Sequence, residues 1–404
     1  MTMDTAWVRP EVLRRLREHA GLSIDDAAAQ SRKLTRAHFA PLTAGQIRQW
    51  EAGHGTPELE HLETLSELYH RPVGHFLLSE IPEDEIGLSF RGLAPGKEDQ
   101  FDPITRASLR RFVELAAWFA TRLEEHAVGW NVRIPESPLR PPAVGKLAQR
   151  ERKRLGFSKS IRETWRSPHD AFQWWRLQIE AQGVLCFELK LNPKDVRGAS
   201  LWVGQRYPFI LVNRQDAEAS TGRLFTLLHE YGHLLLSRQG HGTVCDFRGR
   251  EKGKGTEPLV NQFAAQVLLP VQELWEHLSQ QGQPQPRERW SDATLKQIAS
   301  QFLVSRDVVA ITLEELRLAA PGFYLEKRQD WERSAAKYQP RGRARAQKKW
   351  QRKARELGGA GLKVLLRLHT LDALPMLDAA YLLDTKVEKL SQFLAAFRTA
   401  VHDE

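Results

Sequence analysis

Three residues in the segment Phe-Thr-Leu-Leu-His-Glu-Tyr-Gly-His-Leu-Leu-Leu carry reactive side chains at a telling spacing: His229, Glu230 and His233. Residues four apart on a helix lie about 40° apart round its axis, so both imidazoles can reach one metal ion. Glu230 is one step on, about 100° away, and can flank the ion without displacing a ligand. Zinc held by nitrogen and carboxylate ligands keeps a fourth position for water. The ion makes that water more acidic, and the glutamate is placed to take its proton as general base. Two ordinary surface histidines are the alternative reading, and the apolar Leu227, Leu228, Leu234 and Leu235 around the pair argue against it.

A third protein ligand is needed, and Glu257 is the best candidate. It opens a segment in which Val260, Phe263, Ala264, Val267 and Leu268 recur on one helical face. Glu257 falls on that face, where an unpaired carboxylate is costly and a bound cation supplies its partner. A glutamate before Pro258 in a first helical turn is also a common partner of the helix dipole. Asp246, His241 and Glu251 therefore stay open as rivals. His241 and Tyr231 are candidate oxyanion stabilisers, each equally readable as a surface or packing residue.

These residues must be positioned by regular elements. Apolar periodicity predicts helices over 221–237 and 257–269, preceded by short strand-like runs at 184–189, 199–203 and 209–212. A helix rich in aromatic residues, over 171–182, comes before the strands, and a longer one covers 104–126. Residues 127–168, rich in proline and basic groups, give no readable period. Residues 295–316 form small helical segments around Val304 and Ser305, a pattern like a helix-turn-helix that more often reflects plain helix packing. Residues 82–104, with Pro82, Gly87, Gly92, Pro95, Gly96 and Pro103, read as a linker. Ahead of it, residues 10–80 read as an all-helical unit, with N-caps at Ser23 (with Asp26) and Thr43 (with Gln46) and a helix end at Gly53 and Gly55.

The 404 residues suggest two or three domains, and 41% hydrophobic with 27% charged residues is the profile of a globular chain. Only two cysteines occur, Cys186 and Cys245, far apart in sequence, which argues against a disulfide framework and fits a reducing compartment. The polar N-terminal stretch lacks a signal-peptide core, and no apolar run approaches the ~20 residues of a membrane span. A cytoplasmic protein without a membrane partner is expected. Lys plus Arg exceed Asp plus Glu by 59 to 50, a net charge of +9. Eight basic residues and no acidic one fall within 341–355. Such a run is by default a solvated basic helix, with a second nucleic-acid contact as the alternative. Amphipathic helices follow to the end of the chain.

Taken together, residues 223–236, the preceding Ile-Leu-Val-Asn at 210–213, and Glu257 with Asn261, Phe263, Ala264, Ala265, Leu268, Leu269 and Pro270 resemble the ImmA/IrrE family of metallopeptidases. The resemblance covers roughly residues 170–320. It implies a small zincin-like α+β fold, zinc bound by His229, His233 and Glu257, and Glu230 as catalytic base. It also implies cleavage of a repressor-type protein as the activity. Val260 stands where the family usually has alanine.

Residues 10–80 resemble the Cro/repressor-type (XRE) helix-turn-helix through Leu13, Leu16 and Arg17, then Gly21, Leu22 and Ser23, then Ala27 and Ala28, then Ile47 to Glu51 and Gly53. The stretch from Pro57 to Leu77 is similar to the version fused ahead of ImmA/IrrE peptidases. If Ile47 and Trp50 face the core, then Gly45, Gln46, Arg48 and Gln49 form the stripe suited to base edges of double-stranded DNA. The connection from Gln30 to Leu42 is far longer than the usual three- or four-residue turn.

The expected protein is therefore α+β in class. It has an all-α helix-turn-helix domain (1–81), a linker (82–104), a metallopeptidase domain with an N-terminal helical part (105–325) and a basic helical extension (326–404). The expected activity is zinc-dependent endopeptidase action on a repressor or antitoxin, joined to DNA binding. The rival is a regulator whose metal site is sensory or structural. A metal-dependent nuclease ranks last, because such enzymes favour carboxylate-rich two-metal sites.

Overall fold

The computed structural model describes residues 8–20, 22–32, 34, 40–69, 73–77, 101–126, 129–135, 143–192, 196–215, 219–236, 243–245, 256–282, 286, 290–335, 349–383 and 385–402. The chain divides into two compact units, one of residues 1–86 and 93–110, the other of residues 87–92 and 111–404.

The first unit is helical: α1 (Pro10–His19), α2 (Ile24–Ser31), α3 (Ala44–Glu51), α4 (Leu59–Tyr69) and a 3-10 turn, Val73–Leu77. Its caps are those the sequence suggests. Ser23 accepts from the Asp26 amide, and Thr43 and Gln46 form a reciprocal capping box. Helix α3 ends in a Schellman arrangement: His54 N–H reaches Gln49 C=O at 2.8 Å, and Gly53 reaches Trp50 at 3.1 Å with a φ of 83° that favours glycine. The core runs from Val8 through Leu16, Ala27, Ile47, Leu62 and Leu65 to Phe76. A buried ion pair lies in it. Arg17 grips both carboxylate oxygens of Glu51, Nε to Oε1 at 2.7 Å and Nη2 to Oε2 at 2.8 Å.

The long connection between α2 and α3 is closed at its base. Buried Ser31 donates to the carbonyl of Leu42 at 3.2 Å and accepts from its amide at 2.8 Å. The two helices are thus held together where the extra residues leave and return.

The second unit is built on a four-stranded mixed sheet in the order β1-β3-β2-β4. Its strands are β1 (Leu185–Leu189), β2 (Gly198–Val203), β3 (Tyr207–Asn213) and β4 (Thr243–Cys245). β1 runs parallel to β3, and β2 pairs antiparallel with both β3 and β4. The turn joining β2 to β3 places Gly204 and Gln205 at φ values of 58° and 57°. β4, which follows the histidine helix and is three residues long, is an addition to the three strands expected. Cys186 on β1 and Cys245 on β4 lie on opposite outer strands, about three strand spacings or ~14 Å apart. That is beyond the reach of a disulfide.

Helices cover both faces of the sheet, which is why β1 and β3 are buried along their whole length. On one face Cys186, Trp202, Ile210 and Val212 join the main core with α8 (Pro168–Glu180) and α9 (Ala219–Leu236). On the other, Phe187 meets Phe112 and Phe119 of α5 (Pro103–Glu125), with ring centroids 6.1 and 5.6 Å away. Residues 127–168, unreadable from periodicity, contain α6 (Val144–Arg154) and α7 (Lys159–Thr164). Beyond the sheet come α10 (Glu257–Leu268), α11 (Val271–Gln280), α12 (Asp292–Phe302), α13 (Arg306–Glu315) and α14 (Phe323–Ala335). In α13 every residue from Asp307 to Leu313 is buried. The α12–α13 pair is therefore ordinary packing, with no exposed recognition face.

The last helices are α15 (Lys349–Thr370), α16 (Met376–Leu382) and α17 (Val387–His402). They belong to the same compact unit as the sheet. α15 packs along β1 and is broken at Gly358, whose φ of 71° and ψ of 170° only glycine adopts readily. A Cβ there would strike the side chains of Glu180 and Arg176 and approach the Cys186 carbonyl to 2.8 Å. Arg176 is buried and anchors this junction. It donates to Glu180 at 3.0 Å, to Glu188 at 2.6 Å, to the Arg355 carbonyl at 3.0 Å and to the Cys186 carbonyl. The amide of Ala360 donates to the other Glu180 oxygen at 3.0 Å. Arg223 of α9 completes the network on Glu188 at 2.8 Å. Of the basic run at 341–355, residues 341–348 lie outside the described residues, and the rest opens α15.

Candidate metal centre

Helix α9 carries His229, Glu230 and His233 through the middle of the unit. Its apolar flanks, Leu224, Leu227, Leu228, Leu234 and Leu235, are all buried, so the three polar residues are carried inward with them. His229 and Glu230 are 0% exposed and His233 is 7% exposed. Gly232 lets the next helix come close: a Cβ there would lie 2.8 Å from Val260 and 3.0 Å from Phe263 of α10.

Glu257, the first residue of α10, meets the two histidines. Its carboxylate oxygens lie 3.3 Å from His229 Nε2 and 3.2 Å from His233 Nε2, and the two imidazole nitrogens are 3.1 Å apart. A tetrahedral zinc ion with ligands at about 2.0–2.1 Å spaces its donor atoms about 3.3–3.4 Å apart. The three donors therefore fit one small divalent cation, and two nitrogens with a carboxylate are a suitable set for it. Partial desolvation opposes ionisation of Glu257, but hydrogen bonds and charge from His229 and His233 outweigh it and hold its carboxyl well below the usual range. The side chain of Glu257 is 48% exposed. Its deep burial, one argument for choosing it, is thus not what the structure shows; it forms the solvent side of the cluster. Its rivals His241, Asp246 and Glu251 lie outside the described residues.

Glu230 points to the sheet side of α9. Ser200 of β2 donates to its Oε2 at 2.8 Å, and Gly198, two residues earlier on the same face, leaves room for Oε1. A Cβ on Gly198 would lie 2.8 Å from Glu230 Oε1 and 2.6 Å from Thr226 Cγ2. Neither position stands out in the sequence, because the strand-to-helix pairing is not written in local spacing. The nearest signal is the small-x-small pattern Gly198-Ala199-Ser200 inside an apolar strand, where glycine marks a close approach. His229 turns its other nitrogen to α10, Nδ1 lying 2.9 Å from Asn261 Oδ1. Asn213, which ends β3, fastens the neighbouring loops through the Leu191 amide (3.1 Å), the Val196 carbonyl (2.9 Å) and the Gln215 amide (2.8 Å).

Tyr231 lies on the opposite side of α9. Its hydroxyl donates to Glu151 of α6 at 2.8 Å and accepts from Arg154, and burial pushes its ionisation well up. It is a packing residue and contributes no oxyanion donor. Arg152 of the same α6 donates to the Val267 carbonyl at 2.6 Å, capping the last turn of α10, and to Glu273 at 2.6 Å. α6 therefore holds both helices of the candidate site through buried charges. In the first unit, Gly45, Arg48 and Gln49 are exposed on α3 while Ile47 and Trp50 are buried. The side-chain oxygen of Gln46 is engaged by the Thr43 amide at 2.9 Å.

A helix carrying two histidines and a glutamate, backed by a mixed sheet and met by a glutamate from the following helix, is a metallopeptidase-type arrangement. Residues 179–314 match the family model of peptidase M78, described as the IrrE N-terminal-like domain, which supports a metallopeptidase-type function and implies a metal ion. The matched segment takes in β1 to β4 and α9 to α13, about a third of the chain. No curated protein and no solved structure matches the chain. Among the described residues, no helix is long and apolar enough to cross a membrane.

Proposed function

We propose that the chain is a zinc-dependent endopeptidase that cuts a repressor- or antitoxin-type protein, with a DNA-binding unit at its N-terminal end. The observation that carries the peptidase reading is the convergence of His229, His233 and Glu257 within 3.3 Å, beside a glutamate held in place by a strand. A zinc ion held by these three supplies Lewis acidity and an acidified water. The protein's own part is proton handling. Glu230 takes the proton of the attacking water and returns it to the leaving amine nitrogen, and Ser200 keeps the carboxylate from rotating away. Structural zinc sites are usually closed and cysteine-rich; the donors here are two imidazoles and a carboxylate, with a glutamate beside them to serve as base.

The DNA reading draws on the exposed Arg48 and Gln49 of α3, whose types suit guanine and adenine edges in a major groove. Its measurement is enrichment of duplexes from a randomised pool, compared with the Arg48→Ala chain.

The decisive experiment for the peptidase reading pairs zinc content with cleavage. The wild type and Glu230→Gln are each incubated with a panel of repressor-type proteins, with the 82–104 segment monitored for self-cleavage. The expected result is about one zinc in both chains and cleavage by the wild type alone. Zinc-loaded wild type that cuts neither the panel nor itself, with Glu230→Gln silent in cells, overturns the reading in favour of a metal-sensing regulator.

A further inference from the structure

We infer that Asn261 is a positioning residue of the metal centre, setting the tautomer of His229; the inference rests on the metal-binding reading above. Asn261 lies one turn after Glu257 on α10, so the two side chains share the face turned to α9. α10 thus touches His229 twice: Glu257 Oε2 is 3.3 Å from Nε2 and Asn261 Oδ1 is 2.9 Å from Nδ1.

A carbonyl oxygen can only accept, so the proton of this imidazole sits on Nδ1. The lone pair then sits on Nε2, the nitrogen that faces His233 and Glu257. The reverse orientation of the amide would donate to Nδ1, place the proton on Nε2 and block the ligand position. His229 is fully buried, and Asn261 belongs to the helix that brings the third ligand. One rigid element therefore delivers a ligand and the group that readies another. Such outer partners of ligating histidines fix ring orientation and raise ligand basicity, and their loss typically weakens metal binding about 10–100-fold.

The test uses the full chain and zinc itself, titrated against a competing chromophoric chelator, so it needs no substrate. Asn261→Leu keeps the side-chain size and removes the acceptor; Asn261→Asp keeps an acceptor and strengthens it. The expected result is zinc affinity reduced about 10–100-fold in Asn261→Leu and equal to or above wild type in Asn261→Asp. The metal-free chains should melt alike. Wild-type affinity in Asn261→Leu overturns the inference, as does equal weakening in both variants, which would show a packing role. Lower melting of the metal-free Asn261→Leu chain, with Asn261→Asp failing to restore affinity, counts against it in the same way. A wild type that takes up no zinc overturns the metal reading itself, and this inference with it.

Discussion

Ser200 and Glu230 face each other across the space between β2 and α9, joined by a hydrogen bond of 2.8 Å between buried groups. The contact restrains the carboxylate without touching a ligand. Ser200→Ala is expected to keep its zinc and lose about 10–100-fold in kcat, with KM little changed. Metal analysis beside steady-state kinetics on a cleaved substrate checks it. Gly198→Ala should act differently. The new methyl would press on Thr226 and Glu230, at a cost of about 1–3 kcal/mol in stability as well as activity.

The Arg17–Glu51 pair predicts the behaviour of the first unit. Both side chains are buried, and the hydrogen bonds and charge of Glu51 raise the Arg17 pKa against the opposing effect of burial. Removing one partner leaves the other charge buried, so Glu51→Ala should destabilise this unit by about 3–5 kcal/mol. Replacing both with apolar residues of similar volume should recover most of that loss. Denaturant unfolding, followed by a probe in α3, reads both. Because Glu51 ends the helix that presents Arg48, the single variant should also weaken any DNA binding.

A pH dependence follows from Glu315 at the end of α13. Burial pushes its carboxyl up to about 7, only partly opposed by hydrogen bonds from Gln266 and Gln262. A raised folded-state value means the folded chain holds this proton more tightly than the unfolded chain. The stabilisation is fully present below about pH 4.5 and is lost as pH rises through about 7. The Glu315→Gln chain should therefore gain stability relative to wild type between pH 5 and 8, by on the order of 2–3 kcal/mol. Paired melting curves at the two pH values test the sign.

The seating of α15 gives a fourth prediction. Gly358→Ala forces a methyl into Glu180 and Arg176 and demands a strained backbone, so a loss of several kcal/mol is expected. Because Arg223 of α9 shares Glu188 with Arg176, the damage should reach the histidine helix and lower zinc occupancy. Truncation after Ala335 should do the same more severely, since it strips α15 from β1 and removes the Arg355 carbonyl and Ala360 amide from the Arg176–Glu180 network. Zinc content and solubility of the two chains measure this.

The sequence made the centre of the site legible because one helix carries His229, Glu230 and His233, and helical spacing is a local property. Glu257 was reachable through the periodicity of a second helix, although what it meets there is the two imidazoles and not a buried apolar face. The caps at Ser23 and Thr43 were equally local. Ser200, Gly198 and Asn261 act across element boundaries, so their roles appear only once β2, α9 and α10 are placed together. α6 escaped notice for a different reason. Its inward face continues from Val144 and Leu147 into Glu151 and Arg152, charges that are buried because they bind Tyr231, Arg154 and the end of α10. A polarity pattern counts such residues as surface. The same holds for the chain beyond 326, which reads as a basic tail: α14 packs on α13, and α15 packs along β1 as an outer layer, with α17 against it.

That outer layer sets an order of events during synthesis. The core of the first unit is complete once Phe76 has been made, whereas the network around Arg176 needs Arg355 and Ala360. About 280 residues separate the two, which at ~5–20 residues per second is roughly 15–55 s of translation. Throughout that interval the face of the nascent sheet that carries Phe187 has α5 against it but not α15, and the histidine helix lacks its full bracing. The N-terminal unit can therefore take shape while its chain is still being extended, and the bracing of the histidine helix is completed only after Ala360 has been made.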